Sequence, residues 1–262
     1  MRYLIFLLFL SSIFLTFQPD ILINIANPLP HSVILDPCAG IGTIPLRSGS
    51  FSHYGLGGEV SQPIFWNAAP HFVKCNQMIN CNGRQISDLA GWDATILPLR
   101  DSFVDAVISD IPFGQKCMSS SELMVFMPSL FYQCARVLVP KTGKMLLLCG
   151  NFETVVKCLF ALNERSRIIG NGNIDENVKS NGKGNNHDDK SCVLEVVFQL
   201  PCESIFPANI GGHIAWILVV KRGTRAPVPP ANYRRTAKRV MVKRINGEKA
   251  KALSKQNKAS KI

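Results

Sequence analysis

The chain has 262 residues, a formal net charge of +11 and 47% hydrophobic residues. That is room for one large domain, which buries about 70–75% of the surface its unfolded chain exposes, so no disulfide or metal staple is required. Charged residues make up 18%, below the usual ~25%, which excludes a chain disordered throughout, and no collagen or heptad repeat runs through it.

The first predicted element is the apolar run 1–17, MRYLIFLLFLSSIFLTF, which has the form of a signal peptide or a short membrane anchor. The following QPDILINIANPLP offers no small-x-small cleavage site. The nine cysteines are odd in number and sit mostly in apolar contexts, fitting reduced intracellular thiols better than a disulfide framework. No C-x-x-C pair is present, which argues against a zinc site built from this chain. Residues 1–30 are therefore read as an apolar leader: a buried helix, an anchor, or a start lying inside a longer protein. Membrane association is the minority reading.

From residue 33 strands and helices alternate. VILD (33–36) is a buried strand ending in a Gly-containing loop, and IGTIPLRSG a short helix. HYGLGGEV is a strand closing on Glu59, and SQPIFWNAAPHFVKCNQMINCNG a helix that Pro70 is expected to kink or break. QISDLAGWD is a strand with a loop at Trp92-Asp93; VDAVISD is another, followed by a loop at 111–114. SSELMVFMPSLFYQCARVLVP (helix), GKMLLLCG (strand) and NFETVVKCLFALNERS (helix) continue the alternation. Residues 170–191 are rich in Gly, Asn, Asp and Lys and read as a flexible insertion. VLEVVFQLP (193–201) and HIAWILVVKR close the domain as two strands with no helix between them. The pattern is α/β, with a mostly parallel sheet buried on both faces and a domain spanning 31–222.

The charge belongs to the end of the chain. Residues 221–262 carry 14 Lys/Arg and one acid, Glu248, whereas the other 220 residues carry 15 basic and 17 acidic side chains. The body is near neutral, and residues 223–262 read as a basic, disordered tail suited to RNA phosphate or to nuclear import.

Ligands in such sheets bind outside the carboxyl ends of the strands, near the point where strand order reverses. Asp36, Glu59, Asp93 and Asp110 each close a predicted strand. In the first loop, DPCAGIGT, Gly40 and Gly42 let the backbone approach a ligand. The loop is neither G-x-G-x-x-G, for lack of its third glycine, nor a P-loop, for lack of Gly-Lys-Ser/Thr. Glu59 is an acceptor suited to a ribose diol, and Asp93 beside Trp92 to an adenine amine. Asp110-Ile111-Pro112-Phe113-Gly114 is the most specific element. Asp110 and a neighbouring carbonyl can accept from an exocyclic amine, and Phe113 can stack on a base.

DPCAGIGT, the acidic strand end, WDATILPLRDSFVDAVISDIPFG and GGHIAWILVVKR together resemble the S-adenosylmethionine-dependent methyltransferases of the Rossmann-like class. They are most similar to the THUMP-domain guanosine-N2 methyltransferases of RNA, over roughly residues 31–222 without the insertion. The resemblance implies a seven-stranded sheet, mostly parallel with a terminal antiparallel pair. It implies S-adenosylmethionine as cofactor, with Asp36, Gly40 and Gly42 along its methionine part, Glu59 on the ribose, and Trp92 and Asp93 at the adenine. Asp110, Pro112 and Phe113 would hold the target amine, with no metal. It also implies an RNA substrate, tRNA first, a small zinc-binding activator subunit, and a cytoplasmic or nuclear location. The family carries an RNA-binding THUMP region and a helical segment ahead of the first strand, where this chain has only the leader. Two alternatives stand beside this reading: an adenine-N6 or other amino-methyltransferase, and a non-catalytic member that lacks its RNA-binding region.

Overall fold

The computed structural model describes residues 18–79, 87–111, 120–172, 196–200, 202–210, 213–231 and 233. The apolar leader through residue 17, the loop from Pro112 through Gly114, most of the 170–191 insertion, and residues 232 and 234–262 of the basic tail lie outside them.

Seven strands form one sheet: β1 (Val33–Asp36), β2 (Tyr54–Gly58), β3 (Ser87–Ala90), β4 (Ala106–Asp110), β5 (Lys144–Cys149), β6 (Ser204–Ile210) and β7 (His213–Lys221). Their order is β3-β2-β1-β4-β5-β7-β6. β3 to β5 are parallel, and β7 runs antiparallel to both β5 and β6. The chain winds outward from β1 to β3 and then crosses back to β4, so the reversal of strand order falls between β1 and β4.

The helices are α1 (residues 18–26), α2 (Thr43–Ser50), α3 (Gln62–Ile79), α4 (Ser120–Val137) and α5 (Phe152–Gly172). Alternate residues of the central strands feed two cores. Leu35, Val107, Met145 and Leu147 pack with α4 and α5, whereas Ile34, Ala106, Ile108, Leu146 and Leu148 pack with α1 and Ile44 of α2. Burial on both faces is why these strands read as continuous apolar runs. At β2 two glycines admit α2: a Cβ on Gly55 would lie 2.1 Å from the Pro45 carbonyl oxygen, and one on Gly57 2.7 Å from the Pro45 ring.

Several expectations are corrected. Pro70 does not break α3; α4 likewise runs through Pro128. Each proline deprives the carbonyl four residues earlier of its partner. Those residues, Trp66 and Met124, are 67% and 55% exposed, so water can serve instead. The strand expected at 193–201 is not one in its described part, 196–200. There Val197 and Phe198 are fully buried, and their N–H groups donate to Asn163 Oδ1 at 3.1 and 2.9 Å, while Asn163 Nδ2 donates to the Phe198 carbonyl at 2.8 Å. Asn163 thus serves one side of the segment, while its other side pairs antiparallel with the end of β7 in a single bridge, Gln199 N donating to the Lys221 carbonyl and Gly223 N to the Val197 carbonyl, both at 2.9 Å. The outer strand is instead β6, whose Pro207 is tolerated because β6 is the sheet edge.

Both limits of the packed body also move. Residues 18–26, assigned above to the leader, form α1, which buries Leu22, Ile23 and Ala26 against the sheet and is clamped to α2 by a bidentate Arg47–Asp20 pair at 2.6 Å. Beyond β7, the tail's first residues dock on α4 and α5: Val228 N donates to Ser166 Oγ at 3.0 Å and Arg165 Nε to the Pro229 carbonyl at 2.8 Å. Arg222 anchors the turn into this segment. Buried, it donates to the carbonyls of Ala135, Val197 and Gly223, and desolvation lowers its pKa to about 10. Among the described residues no helix is long and apolar enough to cross a membrane.

Candidate functional site

The fold sets the acids side by side. Asp36 is the last residue of β1 and Asp110 the last of β4; Glu59 follows β2 directly and Asp93 lies three residues beyond β3. Read across the sheet the order is Asp93, Glu59, Asp36, Asp110. Three strand spacings separate the outer pair, roughly 14 Å along the carboxyl edge. The reversal of strand order falls between Asp36 and Asp110, where a parallel sheet opens its crevice.

The first loop is built by Asp36 and Glu59. Asp36 Oδ1 accepts from Cys38 N at 3.0 Å and Ser109 Oγ at 2.7 Å, tying β1 to β4. Glu59 accepts from Gly40 N at 3.1 Å and from Ser61 N at 2.6 Å, so it holds the glycine loop and the approach to α3 together. Gly40 and Gly42 take positive φ, 56° and 84°. They serve different ends. A Cβ on Gly42 would meet the Phe72 ring at 2.6 Å, whereas one on Gly40 would meet nothing within 4 Å. Gly42 therefore answers to packing, and Gly40 meets no described residue at the sheet edge.

On the outer side Asp93 Oδ1 accepts from Thr95 N at 2.8 Å and Thr95 Oγ1 at 2.7 Å, shaping the loop as an Asx turn. Trp92 lies so closely over the β2 end that a Cβ on Gly58 would overlap its indole. Among the described residues its buried Nε1–H has no hydrogen-bond partner. At the far end Asp110, exposed at its strand terminus, receives a long 3.5 Å contact from Gln18 Nε2 of α1.

The electrostatics follow from crowding acids in a crevice. Desolvation pushes Asp36 up to about 7, against the hydrogen bonds of Ser109 and Cys38, and the charges of Asp110 and Glu59 push in the same direction. Desolvation raises Asp110 to about 6, opposed by Gln18. Burial lifts the thiols of Cys134 and Cys149 to about 12, so they are packing groups and not nucleophiles.

The structure thus brings together six of the sequence-derived residues, Asp36, Gly40, Gly42, Glu59, Trp92 and Asp93, and sets Asp110 across the crevice from them. Pro112 and Phe113 lie outside the described residues. Ser109, the Asp36 partner, was missed because it reads as an ordinary small strand residue. Gln18 was missed because it sits at the end of the apolar run.

The fold is that of the Rossmann-like S-adenosylmethionine-dependent methyltransferases. TrmN from Thermus thermophilus superposes with a TM-score of 0.51 at 16% identity, covering 78% of this chain and 48% of that one. Magnesium protoporphyrin IX methyltransferase from Synechocystis, solved with bound S-adenosylmethionine, gives 0.50 at 11% identity over 79% and 80%. The [4+2]-cyclase SpnF gives 0.51 at 13% over 79% and 81%, so the fold alone does not decide the reaction. By sequence, the chain is similar to tRNA (guanine(6)-N(2))-methyltransferase THUMP3 of Homo sapiens, 27% identical over 147 residues, and of Mus musculus, 30% over 147 residues. Each match covers 53% of this chain and 29% of the relative, so the chain spans less than a third of the length of those proteins. No family model matches the chain.

The crevice residues fit such a cofactor. Among the described residues Gly40 offers an open approach and the buried Trp92 Nε1–H lacks an acceptor, and each Glu59 oxygen retains acceptor capacity beyond its backbone contact.

Proposed function

We propose that this chain is an S-adenosylmethionine-dependent RNA methyltransferase that acts on the guanine N2 amine, with tRNA as the substrate. The observation that carries the reading is the row Asp93, Glu59, Asp36, Asp110 along one sheet edge, with strand order reversing between the last two. It is supported by sequence similarity to curated tRNA guanine-N2 methyltransferases over half of the chain.

The cofactor supplies an electrophilic methyl group on a sulfonium. Glu59 takes the ribose hydroxyls, Asp93 and Trp92 bound the adenine, and Asp36 and the Gly40–Gly42 loop line the methionine end. Asp110 faces that end from across the crevice and orients the lone pair of an incoming planar amine, with Pro112 and Phe113 framing the base. Methyl transfer is an in-line displacement, for which alignment supplies much of the acceleration. Asp110 takes up the proton that the amine sheds once the new bond has formed. The basic residues beyond 233 hold the RNA backbone. Docking of a small zinc-binding activator subunit belongs to the same proposal, the sheet having β3 and β6 as its edges.

The test is transfer of isotopically labelled methyl to tRNA, with the product nucleoside identified by mass spectrometry. N2-methylguanosine formed by the wild type and lost in Asp110→Ala is the expected result. N6-methyladenosine would reassign the target amine, and transfer by Asp110→Ala at the wild-type rate would overturn the site. A chain that does not bind S-adenosylmethionine in calorimetry would be a non-catalytic member of the fold.

A further inference from the structure

After β7 the chain does not leave the body. It turns at Gly223, whose carbonyl accepts from Lys141 N at 3.3 Å, and runs back across α5, held by Arg225 Nη1 on the Ser166 carbonyl (3.3 Å) and by the Val228 and Pro229 contacts described above. It ends among the described residues at Tyr233, whose hydroxyl donates a short hydrogen bond to the carbonyl of Thr95 and accepts from Gln133 Nε2 at 2.5 Å. Its ring meets that of Tyr132 edge-on, with centroids 5.0 Å apart.

Thr95 shapes the Asp93 carboxylate, donating to it through both N–H and hydroxyl. Farther along, the loop is pinned to α4. Leu97 N donates to Gln133 Oε1 at 3.1 Å, and Arg136 donates to the carbonyls of Leu97 and Leu99 at 2.9 and 2.7 Å and to Asp101 at 2.6 Å. The portion nearest Asp93 is held through the Thr95 carbonyl by a residue 138 positions away. Desolvation keeps the Tyr233 hydroxyl protonated, with its pKa raised to about 12, so the donor persists across the physiological range.

We propose that residues 224–231 together with Tyr233 are a strap that latches the Asp93 loop through Tyr233, which makes Tyr233 a positioning residue of the cofactor pocket. The loop is then ordered before ligand arrives, and binding does not have to order it. The proposal rests on the reading of the Asp93 loop as the adenine side of that pocket, and it assigns a role to a segment that composition alone marks as tail.

The experiment uses the full chain with Tyr233→Phe, Tyr233→Ala and, as a control, Tyr54→Phe, which changes an exposed tyrosine at the opposite end of β2. Hydrogen exchange across residues 93–99 without cofactor reads the latch itself, and calorimetry with S-adenosylhomocysteine reads its purpose. Tyr233→Phe is expected to speed exchange across 93–99 and weaken cofactor binding about fivefold, the equivalent of one lost hydrogen bond. Tyr233→Ala is expected to weaken it further and Tyr54→Phe to do neither. Thermal melting checks that each variant is folded. Unchanged exchange in both Tyr233 variants overturns the latch. Faster exchange with unchanged cofactor affinity overturns its role in the pocket. If the wild type does not bind S-adenosylhomocysteine, the reading of the pocket fails and the positioning role with it, while the exchange measurement still decides whether the strap holds the loop.

Discussion

Asp36 is a carboxylate that the fold holds at a cost, and the cost is measurable. It is 2% exposed, and desolvation raises its pKa from 3.8 to about 7. Between those values the unfolded chain has released this proton and the native chain retains it. The native state therefore binds more protons, and stability falls as pH rises, by about 1.4 kcal/mol per unit for one proton. Over the whole window of about three units the loss is about 4 kcal/mol, and above pH 7 it is complete. Between pH 5 and pH 8 the portion still to be lost is about 3 kcal/mol.

Asp36→Asn removes this titration and leaves most of the geometry in place. The asparagine carbonyl can accept from Ser109 Oγ and Cys38 N as Oδ1 does now, and its NH2 replaces Oδ2. Any cost of burying that NH2 without an acceptor, about 1–3 kcal/mol, is independent of pH. The diagnostic quantity is thus the change with pH of the difference between the two proteins. Denaturant unfolding at pH 5, 6.5 and 8 should show the variant gaining about 3 kcal/mol on the wild type from the lowest pH to the highest. If the two stabilities run parallel within about 1 kcal/mol, Asp36 is already ionised at pH 5 and desolvation does not dominate its environment.

Three further outcomes follow from the same structure. Asp110 must be ionised to take up the proton of the methylated amine, and its pKa is raised to about 6, so kcat/KM for methyl transfer should fall as pH drops below about 6; a flat profile down to pH 5 would remove it as the proton acceptor. Asn163→Ala deletes three buried hydrogen bonds to the 197–198 backbone and is expected to cost about 3 kcal/mol or more in urea unfolding; a cost under 1 kcal/mol would mean that the segment does not depend on this amide. Deleting residues 234–262, which carry eleven Lys/Arg and one acid, should raise the KM for tRNA and flatten its salt dependence while leaving S-adenosylhomocysteine affinity within about twofold; an unchanged salt slope would separate the tail from RNA binding.

Where a side chain and its neighbours in sequence decide the structure, the sequence reading held. The buried strands at 33–36, 106–110 and 144–149 follow from apolar runs, the first two of which stop at an acid, Asp36 and Asp110. It failed where a distant residue decides. VLEVVFQLP has the composition of a strand, yet only a single bridge to the end of β7 forms in its described part, and Asn163 on α5 takes the N–H groups of Val197 and Phe198. SIFPANI carries a proline that argues against a strand until its place at the sheet edge is known. Pro70 and Pro128 lie within continuous helices because the carbonyls they orphan belong to exposed residues, and periodicity does not register that geometry.

The two ends of the packed chain show the same limit more sharply. Composition sets both aside, the first as apolar leader and the last as basic tail. Yet α1 brings Gln18 to Asp110, and the strap brings Tyr233 to the loop of Asp93. Asp110 and Asp93 are the outermost of the four acids along the sheet edge, so the segments flanking the fold bracket the crevice from its two sides. A parallel sheet supplies the floor of such a site and the placement of its acids, but its strand ends open to solvent. The elements that narrow that opening must come from outside the β-α alternation, where local pattern has nothing to register.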